Sequence, residues 1–201
     1  MTQSILNWLI TNYVEIIGTI TGMIYVVLSV KQNIWNWFFG IINVGFYIFV
    51  FMQSKLYAMT LLQVVYLVMS VYGWYNWKFG KKNTDEKQIP VKSATTRERI
   101  VLSIIGIVST LTIYGLLKLT VESTSPWFDA SFTAFSIVGT WMLTQKMFEN
   151  WTLWIVIDLL AAIFFAIQGM YPSALLYFFF TPLAIIGYFE WKKELKTQPI
   201  A

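Results

Sequence analysis

Long apolar runs separated by short polar breaks constrain the fold of this chain more than any other feature. A helix that crosses a bilayer needs about 20 mostly apolar residues. Seven stretches satisfy this requirement, at residues 14–30, 34–52, 57–78, 98–117, 127–144, 150–168 and 173–191. Only 12% of the residues are charged, whereas a soluble domain carries about 25%. The sequence therefore predicts an all-α, polytopic membrane protein with seven transmembrane helices.

The distribution of basic residues predicts the orientation of these helices, because Lys and Arg accumulate in cytoplasmic loops. With seven spans, 12 of the 14 basic residues lie on the side that holds the C-terminus. The other two, Lys55 and Lys118, lie on the opposite side. We therefore expect an external N-terminus and a cytoplasmic C-terminus. The longest connection is charged and contains Pro90, and we expect a solvated loop with a helical end at "TTRERI".

The composition excludes several functional classes. The chain has no Cys and no His, so disulfides, thiolate nucleophiles, imidazole bases and the commonest metal ligands are absent. "FGKKNT" lacks the glycine spacing of a phosphate-binding loop. We therefore expect neither an enzyme nor a cofactor, and membrane orientation explains the net charge of +4 better than nucleic-acid binding. A membrane enzyme or an assembly subunit is the alternative from another functional class.

An internal repeat relates the first three spans to the last three. Segments 53–78 and 168–192 align with one residue skipped, and the matches include Gly73 with Gly187, Trp77 with Trp191 and Lys78 with Lys192. Upstream, an offset of 115 pairs Asn43 with Asp158. The two copies cover residues 14–78 and 127–192, and a cytoplasmic loop and linker helix at 79–118 restores their parallel orientation. This 3+1+3 arrangement within a single transmembrane domain, 1–201, predicts a substrate site between the repeats near the membrane midplane.

The sixth span carries a carboxylate one turn below two indoles. Since a helix advances about 100° per residue, Trp151, Trp154 and Asp158 fall within an arc of about 60°. A carboxylate at the centre of a membrane helix costs roughly 2.5–3.5 kcal/mol and normally faces the bundle interior or a water-filled cavity. Aromatic faces attract cations. This stripe therefore predicts a site for a flat, positively charged ligand.

Polar residues of three other spans extend the candidate site. The further candidates are Asn43 and Tyr47 in the second span, Gln63 and Tyr66 in the third, and Tyr177 in the seventh. Each has an alternative interpretation. Asn43 and Gln63 are also suited to interhelical hydrogen bonds, and Asp158 to a bond with a neighbouring helix only. Aromatic residues near helix ends, among them Trp35, Trp37, Trp74, Trp77, Trp151, Tyr188 and Trp191, are alternatively an interfacial belt.

The predicted spans that carry these residues resemble the Pnu family of bacterial vitamin transporters, typified by PnuC-type nicotinamide riboside transporters. The more specific elements are "YGWYNW" and the WxxWxxxD pattern that ends at Asp158, and the resemblance covers spans 1–3 and 6–7. It implies a 3+1+3 fold related to the SWEET proteins and a homotrimer in the cytoplasmic (inner) membrane of a bacterium. It also implies facilitated diffusion of a vitamin that a cytosolic kinase traps by phosphorylation.

The resemblance assigns substrate binding to the eight candidate residues named above. It leaves the identity of the vitamin open. Nicotinamide riboside is the first expectation and thiamine the second, because both are flat cations. Riboflavin is flat but neutral, so an intramembrane carboxylate suits it less.

Overall fold

The computed structural model describes residues 13–53, 57–80, 88–120 and 125–197. These residues form seven helices: α1 (Tyr13–Val30), α2 (Trp35–Gln53), α3 (Tyr57–Phe79), α4 (Thr96–Thr120), α5 (Pro126–Thr144), α6 (Asn150–Ile167) and α7 (Tyr171–Thr197). Within the described ranges the only β-type pairing is one isolated bridge between Lys92 and Met147. The prediction of an all-α protein is confirmed, and the helical end at "TTRERI" is the start of α4.

Four of the helices are long and apolar enough to cross a membrane, and they occupy Trp35–Gln53, Thr96–Leu119, Asn150–Ile167 and Ser173–Thr197. Their outward faces are apolar: Leu160 and Ile163 of α6 are 57% and 51% exposed. Such faces are stable only against lipid or another apolar surface. In α1, residues Ile17–Val30 form a shorter apolar helix. The seven-span topology and its orientation remain predictions.

The helices pack as two triplets joined through their first and last members. Within each triplet, consecutive helices contact each other, as α1 with α2 and α2 with α3, or α5 with α6 and α6 with α7. Between the triplets, α1 contacts α7 and α3 contacts α5. The remaining helix, α4, packs against α5. This arrangement agrees with two repeats and one linker helix.

The repeat register upstream of α3 and α7 differs from the predicted one. Gln32 lies in the connection between α1 and α2, and Lys146 lies in the connection between α5 and α6. They are 114 positions apart, and the backbone of both is in the left-handed region, with φ angles of 51° and 49°. The bond from Asn33 N to Leu28 O recurs between Met147 N and Met142 O. An offset of 115 is therefore wrong in α2 and α6. The equivalent of Asp158 is Val44, and the equivalent of Asn43 is Ile157.

Indoles packed on glycines hold each triplet together. A Cβ added at Gly73 would lie 2.5 Å from the ring of Trp37, and one at Gly187 would lie 2.6 Å from the ring of Trp151. Only glycine permits this approach of α2 to α3 and of α6 to α7. Trp37, Trp77 and Trp191 are 0% exposed and Trp151 is 3% exposed, so the belt interpretation is wrong for these four residues. Trp35 and Trp74 are exposed, as belt residues are.

The second half of the α3–α4 connection is not the solvated loop expected from its sequence. Ile89 and Val91 are buried in the cluster that contains Trp77. Lys92 N donates to Lys146 O at 2.9 Å, and Phe148 N donates to Lys92 O at 3.0 Å. Residues 88–95 therefore form a strap across the α5–α6 tip, while 81–87 lie outside the described residues.

Candidate functional site

A cavity of about 350 Å³ lies between the two triplets. Its walls come from α1 and α3 of the first triplet and from all three helices of the second. The predicted site residues that line it are Gln63, Tyr66, Trp151, Trp154, Asp158 and Tyr177. The lining is mostly aromatic and aliphatic with a few polar groups, which is the usual character of a small-molecule site.

Asp158 is the carboxylate of this cavity, and it is 4% exposed. The described side chains give it no hydrogen bond and no ion pair. Asp158 interacts electrostatically with Tyr177, which lines the same cavity. A buried carboxylate without a protein partner is unfavourable unless another group supplies one. The interpretation that Asp158 serves only to bond a neighbouring helix therefore finds no partner in the described structure.

Trp154 and Trp151 occupy different parts of the cavity wall. Trp154 is half-buried and reaches across to Gly139 of α5. Trp151 packs on Gly187 and meets Trp191 edge-on, with ring centroids 5.6 Å apart. Since Trp37 fills the equivalent core position in the first triplet, Trp151 is largely a packing residue with one edge at the cavity. Trp154 is the better-placed surface for stacking.

Asn43 and Tyr47 are not among the cavity-lining residues. Asn43 Nδ2 donates to Gly18 O at 2.7 Å and to Thr21 Oγ1 at 2.8 Å, which ties α2 to α1. Tyr47 packs against Gly18 of the same helix pair. The interhelical interpretation of Asn43 therefore agrees with the structure. The assignment of both residues to the ligand came from the register of 115 and from the family resemblance.

Several cavity residues of α1 and α5 were not predicted. They are Gly22, Tyr25, Ser29, Phe132, Thr133 and Ser136. The Ser136 hydroxyl is buried beside Tyr66 and has no hydrogen bond of ordinary geometry within the described structure. These residues follow spacings of three and four along their helices, which places each group on one face. That spacing was a usable signal, but none of these six residues carries a charge to mark it.

One end of the cavity is closed by hydrogen bonds that run between the triplets. Trp77 Nε1 donates to Leu143 O at 3.1 Å, and Trp191 Nε1 donates to Ser29 O at 3.2 Å and Val30 O at 3.1 Å. Ser29 and Leu143 are equivalent positions and both line the cavity. The bonds from Trp77 to Leu143 O and from Trp191 to Ser29 O therefore form a symmetric pair at the cavity floor.

The two hairpin tips complete this closure. Lys146 Nζ donates to Gln32 Oε1 at 3.1 Å and lies 4.6 Å from the ring centroid of Trp77. We call Trp77, Trp191, Gln32 and Lys146 the latch. It lies at the end that holds the α1–α2 and α5–α6 connections, which the basic-residue count predicts to be cytoplasmic.

Comparisons with known proteins agree with this architecture. Nicotinamide riboside transporter PnuC of Escherichia coli K12 is 30% identical over 203 residues, which cover 90% of this chain and 85% of the relative. Riboflavin/roseoflavin transporter RibM of Streptomyces davaonensis is 26% identical, with 88% of this chain and 83% of the relative covered. The crystal structure of the vitamin B3 transporter PnuC matches the fold with a TM-score of 0.75 at 24% identity, covering 98% of this chain and 88% of that one.

The profile of a transporter family extends over nearly the whole chain. It matches residues 12–193, which include all seven helices except the last residues of α7. Together with the apolar helices, this match identifies a multi-pass protein of the bacterial inner membrane. The chain belongs to the family described as nicotinamide mononucleotide transporters.

Proposed function

We propose that this transporter carries nicotinamide riboside across the inner membrane. The observation that carries the proposal is Asp158, a buried carboxylate without a partner among the described residues, in a cavity of about 350 Å³. Nicotinamide riboside has a planar cationic ring and a neutral sugar. The ring would stack on Trp154, with an edge of Trp151 below it, while Asp158 balances the positive charge. Relatives that are named nicotinamide riboside transporters support this choice.

The sugar needs hydrogen-bonding groups away from the carboxylate. Gln63 and Tyr66 of α3 and Ser136 of α5 line the same cavity, and Tyr66 lies beside Ser136. Ribose hydroxyls both donate and accept, as the hydroxyl and amide groups of these side chains do. Tyr177 lies near Asp158, where it would orient the junction between ring and sugar.

Transport would proceed by movement of one triplet against the other around this site. In the described structure the latch closes one end, so release on that side requires separation of the bonds at Trp77 and Trp191. We infer that this end faces the cytoplasm, where a kinase would trap the vitamin by phosphorylation. The proposed assembly is a homotrimer, and the proposed mode is facilitated diffusion.

A binding titration on the purified protein tests the substrate assignment. Tryptophan fluorescence should be quenched by nicotinamide riboside, and less or not at all by thiamine and riboflavin. Tight binding of riboflavin with no response to nicotinamide riboside would instead favour the activity named for the relative from Streptomyces davaonensis. Uptake into proteoliposomes under imposed pH and sodium gradients tests the mode, since accumulation above the outside concentration would contradict facilitated diffusion.

Replacement of Asp158 tests the role of the carboxylate. We expect Asp158→Asn to weaken binding of nicotinamide riboside by roughly tenfold to hundredfold, the worth of one charge-assisted contact. Thermal stability should be equal or higher, because the charge has no partner to lose among the residues that the structure describes. Glu190→Gln, an exposed carboxylate of α7, is the matched control and should leave both quantities unchanged. Loss of stability in the Asp158 variant would indicate a structural carboxylate.

A further inference from the structure

At the walls of the cavity, each triplet packs an aromatic ring over a glycine. The positions of the ring and the glycine are swapped between the two repeats. In the first triplet, Tyr25 of α1 packs over Gly40 of α2, and a Cβ at Gly40 would lie 3.2 Å from the tyrosine ring. In the second, Trp154 of α6 packs over Gly139 of α5, with the corresponding distance also 3.2 Å. At an offset of 114, Tyr25 is equivalent to Gly139 and Gly40 to Trp154.

Because of this swap, the ring of the first triplet lies on its first helix, α1, and the ring of the second triplet lies on its second helix, α6. Tyr25 and Trp154 both line the cavity, whereas Gly40 and Gly139 do not. Each glycine therefore contacts a ring that lines the cavity without lining the cavity itself. A separation of 3.2–3.4 Å is tighter than ordinary van der Waals contact, so an added methyl group would displace the ring. We expect the ring edge to move away from the glycine, toward the cavity or along its wall, because the glycine face is helix backbone.

We propose that Gly139 and Gly40 are positioning residues for substrate, acting through Trp154 and Tyr25. The inference rests on the proposed function, since it assigns Trp154 to stacking on the cationic ring of the vitamin. Gly139 fixes the depth of the stacking surface, and Gly40 fixes the facing aromatic wall supplied by Tyr25. Neither glycine touches the ligand, so both determine affinity without contributing a contact.

The test uses Gly139→Ala and Gly40→Ala in the full-length purified protein. Each should weaken nicotinamide riboside binding about tenfold, since a displaced ring loses most of a stacking interaction. Gly45→Ala and Gly115→Ala are matched controls in α2 and α4, because a Cβ at either position meets nothing within 4 Å. They should bind as the unaltered protein does, which separates ring displacement from a general effect of alanine on a helix.

A double-variant cycle separates positioning from general damage to the fold. In a Trp154→Phe background, whose ring is smaller, Gly139→Ala should change the affinity by less than twofold. Two residues that act through one contact are non-additive in this way. An undiminished tenfold effect in that background, or no effect of Gly139→Ala in the unaltered protein, would overturn the proposal.

A ligand-independent measurement distinguishes this inference from the substrate assignment. Gly139→Ala should change the near-ultraviolet circular dichroism of the protein, and this change should vanish in the Trp154→Phe background. If the unaltered protein binds none of the three vitamins, the proposed function fails while this spectrum still decides the positioning role. An unchanged spectrum would refute positioning whatever the ligand is.

Discussion

Replacement of Trp77 by Phe should open the latched end of the cavity. The substitution removes the bond from Nε1 to Leu143 O and retains an aromatic ring between Trp37 and Trp191, whose centroids lie 5.4 and 6.1 Å away. Leu143 O also accepts from Lys146 N at 3.0 Å, so the carbonyl is not left without a partner. The loss is therefore the net value of one hydrogen bond plus some packing, about 1–2 kcal/mol.

Because the lost bond joins the two triplets, it stabilises only the closed arrangement. A change of about 1–2 kcal/mol should raise the population open at this end by roughly 5- to 30-fold. The chain contains no Cys, so Ser136→Cys introduces a single thiol into the cavity wall. The labelling rate of this thiol by a small membrane-impermeant reagent, applied to each side of the membrane in turn, reports the opening.

Trp74→Phe is the control for this experiment. Trp74 is on the same helix but is 39% exposed, and its ring contacts within the described residues, with Phe79 and Lys78, stay at the C-terminal end of α3. We expect its labelling rate to equal that of the unaltered protein. A rate for Trp77→Phe that is unchanged, or that rises equally from both sides, would refute the assignment of Trp77 to a closure between the triplets.

Two further predictions concern stability. Glu149→Gln removes the ion pair with Arg99 at 2.8 Å. Since Arg99 is largely exposed, we expect the free energy of unfolding to fall by only about 1 kcal/mol, which thermal unfolding measures. We also expect faster proteolysis of the α3–α4 connection. Gly73→Ala places a methyl group within 2.5 Å of Trp37 and should destabilise the protein by at least about 3 kcal/mol, whereas Gly45→Ala should be neutral or slightly stabilising in the same assay.

The repeat could be detected from sequence because a few residues with strict packing roles recur. Gly73 and Gly187 match because each packs against an indole, that of Trp37 or Trp151, where only a glycine lets two helices approach. Trp77 and Trp191 match because the Nε1 of each donates to a backbone carbonyl of the other triplet. The apolar residues between such markers are interchangeable in packing, so they do not fix an alignment to the residue. A shift of one residue turns a helix by about 100°, which is enough to move Asn43 from the cavity to the α1–α2 contact.

Six of the eight predicted residues line the cavity. Asp158 and the two indoles could be predicted because a charge beside a row of indoles is unusual in a membrane helix. The contribution of α1 and α5 could not be predicted in the same way. Gly22, Tyr25 and Ser136 are ordinary packing residues until the positions of the neighbouring helices are known. For Trp77 and Trp191, the sequence cannot separate belt from core, since the deciding acceptors belong to the other triplet.

The strap formed by residues 88–95 makes two otherwise similar hairpin tips mechanically unequal. Lys92 of the strap pairs with the backbone at Met147. At the end of the strap, the Glu149 carboxylate accepts hydrogen bonds from Ser93 Oγ and from Ala94 N. Within the described chain the α1–α2 tip has no comparable brace. Two helix hairpins of the same architecture therefore differ in how firmly they are held. When this end of the cavity opens, we expect α1 and α2 to move while the braced α5–α6 tip stays in place.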